Sequence, residues 1–200
     1  MTRIFLLSPA STGGRRAGHL FAPRAAFDLA LRVRSPEGES IGEVFSFLSG
    51  LYFRGKLAYA RAFAEPDTAV RVITSDRGLV PPDERVTLAD LEAMAGSAID
   101  LANPAYRAPL ERDAEQLVRA LGRYAEVVLL GSIATGKYAE VLLEAFGPRL
   151  LFPEEFVGRG DMSRGGLMLR AAREGRELAY VQLAGAVRRG KRPARLVPTS

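Results

Sequence analysis

Apolar and polar positions follow two different rhythms along this chain. Four short runs are almost wholly apolar, and each stops at a small hydroxyl residue, Gly or Pro: Arg3 to Leu7 before Ser8-Pro9, Val70 to Thr74 before Ser75-Asp76-Arg77-Gly78, Glu126 to Leu130 before Gly131-Ser132, and Arg149 to Phe152 before Pro153. Runs of this kind predict strands buried on both faces. Between them the apolar residues recur every three or four positions. Ile41, Val44, Phe45, Leu48 and Leu51 predict a helix, and Phe53, Leu57, Ala60 and Ala64 continue it after Gly50, which makes a kinked helical pair. Thr87 with Asp90 three residues later marks another helix start. After a break at Asn103-Pro104, Leu110, Ala114, Leu117, Val118 and Leu121 predict a helix over 110–121. Two more are expected from Tyr138 to Phe146 and from Met162 to Arg173, the second with Asp161 placed to cap it. Leu178 to Leu183 suits a last edge strand, and Ala10 to Pro23, rich in Ser, Thr, Gly and Arg, suits an exposed loop.

Strands separated by helices predict an α/β fold: three layers, a mainly parallel sheet of about four to five strands, and helices on both faces. Residues 1–186 are expected to form a single α/β domain and 187–200 a basic C-terminal tail. In such sheets the ligand crevice lies beyond the carboxyl ends of the strands. Those ends carry Ser8, Ser11 and Thr12, then Ser75, Asp76 and Arg77, then Gly131 and Ser132. Turns favour the same residues for conformational reasons alone. What separates the two explanations is whether the loops converge on one pocket.

Composition narrows the chemistry. Two hundred residues, 48% of them hydrophobic, are ample for a buried core. No cysteine is present, which removes disulfides, thiolate nucleophiles and Cys-ligated metals and makes the cytosol the default compartment. With one histidine, His19, and no cluster of ligands around it, no metal and no cofactor are expected. No apolar run approaches the roughly eighteen residues of a membrane span, and no secretory signal is recognisable at the start. The formal net charge is +5, unevenly spread: residues 156–200 hold ten basic and three acidic side chains, net +7, leaving −2 for the remainder. Such a stretch favours an anionic partner, nucleic acid being the commonest, although a solvated Arg-rich surface has the same composition.

The segment Val127 to Leu143 has the outline of a phosphate-binding Walker loop, with Gly131, Gly136 and Lys137 between strand and helix. The match fails at Tyr138, where a Ser or Thr would hold the magnesium ion. Three readings stay open: a nucleotide hydrolase, a plain strand–turn–helix with Lys137 in water, and a site for a small anion or nucleic-acid phosphate that uses the turn amides without hydrolysis. Farther on, Arg159 and Arg164 flank a predicted helix start in Gly158-Arg159-Gly160-Asp161-Met162-Ser163-Arg164, a second candidate phosphate site or simply a glycine turn.

Three segments in order, Ile4 to Thr12 (IFLLSPAST), Ser49 to Phe63 (SGLYFRGKLAYARAF) and Val70 to Val86 (VRVITSDRGLVPPDERV), resemble the YaaA-like peroxide-stress proteins and their uncharacterised relatives. The third is also similar to the accessory domain of archaeosine synthase. The resemblance covers about two thirds of the chain. It implies an α/β domain, DNA association, and a place in oxidative-stress defence or nucleic-acid maintenance, with no established catalytic residues. It also implies that Gly131 and Tyr138 belong to a strand, Gly loop and Tyr-initiated helix of that family. The chain departs from the pattern in its first loop, where Ser8 and Ser11 stand without the expected Lys, and Arg15 or Arg16 becomes the candidate cation.

The expectation for function is a nucleic-acid-associated protein, binding DNA in preference to RNA, with phosphate contacts from the Arg-rich C-terminal third. Residues expected at phosphate or nucleic acid are Ser11, Thr12, Ser75, Arg77, Gly131, Ser132, Lys137, Arg159 and Arg164. The alternative is an enzyme acting on a nucleobase or small nucleotide-like ligand, with Asp76, Ser8 and Tyr138 as catalytic candidates. That reading requires Ser8, Asp76, Gly131 and Arg159 to line one pocket. The strand order also suits a uracil-glycosylase-like fold, but that family's Gly-Gln-Asp-Pro and His-Ser-Pro motifs are missing. A protein-interaction module using Met162 to Leu169 is the third possibility.

Overall fold

The computed structural model describes residues 2–65, 69–134, 136–188, 190–191 and 193–194. Each apolar run forms its strand: β1 (Arg3–Leu7), β3 (Val70–Ile73), β6 (Glu126–Leu130) and β7 (Leu150–Pro153). They lie side by side and parallel in the order β3-β1-β6-β7. Two short antiparallel strands, β4 (Leu79–Val80) on β3 and β8 (Tyr180–Gln182) on β7, complete a six-stranded sheet. The count exceeds the four to five expected because a two-residue strand leaves no periodic trace. For the same reason a second, two-stranded sheet, β2 (Glu39–Ser40) with β5 (Arg85–Val86), escapes sequence reasoning.

The strand order fixes where the helices go. From β1 the chain moves to β3 on one side, whereas from β3 it returns across β1 to β6 and from β6 continues to β7. Right-handed crossovers in opposite directions must use opposite faces. The segment between β1 and β3, with α1 (Arg15–Phe21), α2 (Asp28–Arg34), α3 (Ile41–Ser49) and α4 (Leu51–Phe63), therefore covers one face, and α5 (Leu88–Gly96), α6 (Pro104–Ala120) and α7 (Gly136–Phe146) the other. The last helix, α8 (Asp161–Glu174), packs along α4, and α6 packs on α7. Phe5 of β1 meets Tyr59 of α4 edge-on at 6.0 Å, and Phe45 of α3 meets Phe53 of α4 the same way at 5.4 Å.

Local details confirm some capping expectations and correct others. The kinked pair α3 and α4 joins at Gly50, whose φ of 57° only glycine adopts readily. Thr87 and Asp90 form a reciprocal capping box at α5. Asn103-Pro104 is the start of α6 and not a break: Asn103 caps it, accepting from the Ala105 amide, and Pro104 takes the first turn, where its missing N–H costs nothing. Asp161 is the first residue of α8; Gly160 holds the cap position and no side chain caps it. The predicted loop 10–23 contains α1, held by only two buried residues, Ala17 and Leu20. The expected basic tail, 187–200, lies partly outside the described residues, which omit Arg189, Arg192 and 195–200. No helix among the described residues is long and apolar enough to cross a membrane.

Candidate functional site

β1 and β6 are neighbours whose outgoing connections leave to opposite sides, so the sheet parts above their carboxyl ends. This is the switch point at which parallel α/β sheets open a crevice. A cleft of about 540 Å³ lies there. The loop after β1 contributes Ser8, Ser11 and Thr12, the end of β3 contributes Ser75, and the turn after β6 contributes Ser132. Helices close the sides with Ser49 and Tyr52, with Lys137 and Tyr138, and with Asp161 at the start of α8. Hydroxyl side chains from three strand ends thus do converge.

The floor of the cleft is built around a residue that sequence reasoning passed over. Lys56 of α4 is fully buried, and its Nζ donates to the backbone oxygen of Ser8 at 2.5 Å and to Ser8 Oγ at 2.9 Å. The rings of Tyr52 and Phe53 sit 4.4 and 4.7 Å from the same nitrogen. Burial disfavours the ammonium form and pushes the Lys56 amine down to about 7, against a smaller upward pull from Asp161. Lys56, not Arg15 or Arg16, is therefore the basic side chain that meets the first loop at Ser8. Arg16 is spent on the Phe47 carbonyl at the α3 terminus. The signal for Lys56 was present in the spacing, four residues after Tyr52 and three after Phe53, on the face of α4 that turns to the core.

Ser8 also touches the segment that resembles a Walker loop. A side chain on Gly131 would begin 2.8 Å from Ser8 Cβ and 2.9 Å from the Tyr138 hydroxyl, so only glycine lets these two meet over the end of β6. Burial raises the Tyr138 phenol, partly offset by polar contacts with the Ser8 side chain and the Ser132 backbone. Tyr138 thus points its ring back into the site, and its helix starts at Gly136. Lys137 is exposed at the rim, and its carbonyl accepts from the Tyr106 hydroxyl at 2.9 Å. Ser75 is tied down on both sides, donating from Oγ to the Met94 carbonyl while its own carbonyl accepts from Ser97 Oγ.

The remaining sequence candidates lie elsewhere. Arg77 donates to Asp90 Oδ1 at 2.5 Å and stands 3.7 Å from Asp76, so the capping carboxylate of α5 occupies it. Asp76 does not line the cleft; one of its carboxylate oxygens is buried without a hydrogen-bond partner, and burial raises its pKa. Arg159 donates to the Glu155 carbonyl and Ser163 Oγ outside the cleft. Arg164 is buried, with Nε and Nη2 both donating to the Phe156 carbonyl and its guanidinium over the Phe156 ring. Of the four residues the enzyme reading required together, Ser8 and Gly131 meet, and Asp76 and Arg159 do not join them. His19 is exposed on α1, away from the cleft.

Tyr52, at the side of the cleft, is buried beside Arg164, and its hydroxyl has no hydrogen-bond partner among the described residues. Arg164 in turn stands 3.6 Å from Asp161. No group of three or more potential metal ligands occurs among the described residues. Compared with known proteins, the chain matches no protein-family model, no curated protein and no solved structure.

Proposed function

We propose that this chain acts through the cleft above β1 and β6, taking a small polar ligand of the nucleotide class. The observation that carries the reading is the convergence there of hydroxyls from three strand ends with one exposed cation, Lys137, and one carboxylate, Asp161. Lys137 suits a phosphate or other anionic group, and Asp161 suits the ring nitrogens or amino groups of a base. The N–H groups of Ser11, Thr12 and Gly13 make no hydrogen bond among the described residues and add donors of the kind that accept phosphate oxygens. The proposed kinship with YaaA-like proteins fits the same place, because all three resembling segments feed the cleft: the first with Ser8, Ser11 and Thr12, the second with Ser49, Tyr52 and Lys56, the third with Ser75.

A thermal-shift screen of nucleotides, nucleosides and nucleobases tests this. A ligand held at one hundred times its Kd stabilises the folded state by about 2.7 kcal/mol. The shift should shrink in Lys137→Ala, an exposed position whose loss leaves the unliganded melting temperature in place. If no member of the class shifts the protein, or Lys137→Ala responds like the wild type, the reading fails.

Nucleic-acid association is a second reading, favoured by the net +7 of residues 156–200. Arg164 takes no part in it, being buried under Phe156. The exposed Arg173 and the tail would supply the phosphate contacts. Binding to duplex DNA that weakens steeply with salt is the expected result, and binding absent at low salt would end this reading.

A further inference from the structure

We propose that Ser8 and Lys56 form a nucleophile and general-base pair, and that the cleft carries out acyl transfer, with an ester or activated amide as the substrate class. The proposal rests on the cleft being a ligand site. It also supplies what the sequence lacked, since the only histidine lies off the cleft and Asp76 does not reach it.

The geometry meets the requirements of such a pair. Ser8 lines the cleft at the end of β1, and its Oγ lies 2.9 Å from Lys56 Nζ, within reach for direct proton transfer. A neutral lysine amine has two N–H donors and one lone pair. One N–H is fixed by the Ser8 backbone oxygen at 2.5 Å, which turns the nitrogen toward its own serine. The aromatic rings of Tyr52 and Phe53 exclude water from the amine. Enclosure of this kind is how a lysine becomes a base near neutrality. The Tyr138 hydroxyl makes a polar contact with the same Ser8 side chain. The charged and titratable groups facing the pair are Asp161 and Arg164 from α8, Tyr138 and Lys137 from α7 and Tyr52 from α4.

The reaction balances without another reagent than water. The Ser8 oxygen forms a bond to the carbonyl carbon as its proton passes to the Lys56 lone pair, and the carbonyl π electrons move onto oxygen. The N–H groups of Ser11, Thr12 and Gly13, which make no hydrogen bond among the described residues, lie in the loop that lines the same cleft and are the donors the proposal assigns to that negative charge. Collapse of the adduct breaks the bond to the leaving group, which takes the proton from Lys56. Water then attacks the acyl-serine carbon, giving one proton to Lys56; the carboxylic acid departs, and the proton returns to Ser8. A carbonyl centre suits the site better than a phosphoryl centre, because Lys56 must be neutral to act and Lys137 is the one exposed cation lining the cleft among the described residues.

The test is covalent labelling of the full chain with a fluorophosphonate, located by peptide mapping, together with hydrolysis of p-nitrophenyl acetate. A single adduct on Ser8 is expected, with a rate that climbs from about pH 6 to about pH 8 and then levels, following deprotonation of a base near 7. Ser8→Ala should take no label. Lys56→Met keeps the volume and should label at least about 100-fold more slowly, the ordinary effect of losing a general base. Should Lys56→Met fail to fold, the wild-type pH profile and Ser8→Ala decide. No adduct on Ser8 at any of these pH values, a rate independent of pH, or an unchanged rate in folded Lys56→Met overturns the proposal. Failure here is separable from failure of the ligand reading: a nucleotide-induced thermal shift in a protein that does not label removes only the acyl-transfer pair, and labelling without any such shift removes only the nucleotide assignment.

Discussion

Gly55 of α4 and Gly165 of α8 meet where the two helices cross. A methyl group at 55 would begin 2.5 Å from the Gly165 carbonyl oxygen and 2.9 Å from its Cα; one at 165 would begin 2.7 Å from the Leu51 carbonyl oxygen and 2.8 Å from the Tyr52 Cα. Every obstacle is backbone, so no rotamer change relieves it. Comfortable contact needs about 3.5 Å, and Gly55→Ala must therefore push the helices apart by about 1 Å. Overpacking of a tight interior costs about 1–3 kcal/mol, with rigid backbone on both sides placing this case at the upper end. Against that, alanine returns about 1 kcal/mol of helix propensity. The expected net loss is about 2 kcal/mol, read as a fall in the urea midpoint with an unchanged slope and a melting temperature lower by roughly 4–8 °C for a chain of this size. Gly18 is the control: it lies inside α1 with nothing within 4 Å of an added Cβ, so Gly18→Ala should gain about 0.5–1 kcal/mol. If Gly55→Ala is neutral or stabilising like Gly18→Ala, the close crossing is refuted.

Lys56 makes stability depend on pH in a definite direction. Its amine falls from 10.5 to about 7 on folding, so the unfolded chain binds the extra proton between those values and stability from this group rises with pH across that window. Relative to Lys56→Met, the wild type should gain about 2 kcal/mol between about pH 7 and pH 9, since each unit is worth at most about 1.4 kcal/mol; a flat difference in parallel denaturation curves would contradict the burial argument. Arg164→Leu should cost about 2–4 kcal/mol, because the Phe156 carbonyl loses both donors inside the protein. The same variant should leave the salt dependence of any DNA binding unchanged, whereas a reduced slope would make Arg164 a phosphate ligand after all.

What could be read from the sequence followed the strength of each local signal. The four parallel strands were legible because strands covered on both faces are apolar at every position, as at Ile4 to Leu7 and Val127 to Leu130. Helix α3 was legible from its apolar spacing, and the start of α5 from a capping box whose partners are three residues apart. Helix α1 was not, because Gly14, Gly18 and three basic residues surround the two side chains it buries. Helix α2 hid for a related reason: Leu29, Ala30 and Val33 form only one short apolar stripe. The strand ends do gather at one place: Ser8, Ser11, Thr12, Ser75, Ser132, Lys137 and Tyr138 line one cleft. Arg77, Arg159 and Arg164 lie outside that cleft. Whether Arg77, Arg159 or Arg164 is free for a ligand depends on partners such as Asp90, Glu155 and Phe156 whose approach is decided by turns and helix packing.

Lys56 and Lys137 show the same limit from opposite sides. Lys137 stands where a phosphate-binding lysine would stand, and its prominence comes from two glycines that accompany turns of any kind; the structure leaves it exposed at the rim. Lys56 has no motif around it, and an isolated lysine in a helix is ordinarily solvated. Yet its spacing from Tyr52, Phe53, Tyr59 and Ala60 places it on the buried face of α4, where leaving a charge without a partner would cost several kcal/mol. A lysine on the apolar stripe of a helix must either find an acceptor across the core or give up its proton, and here the Ser8 carbonyl and the enclosing rings lead to both. The periodicity that predicted α4 as a core helix already required Lys56 to be an exception, and it was the exception, not the glycine-rich motif, that marked the floor of the cleft.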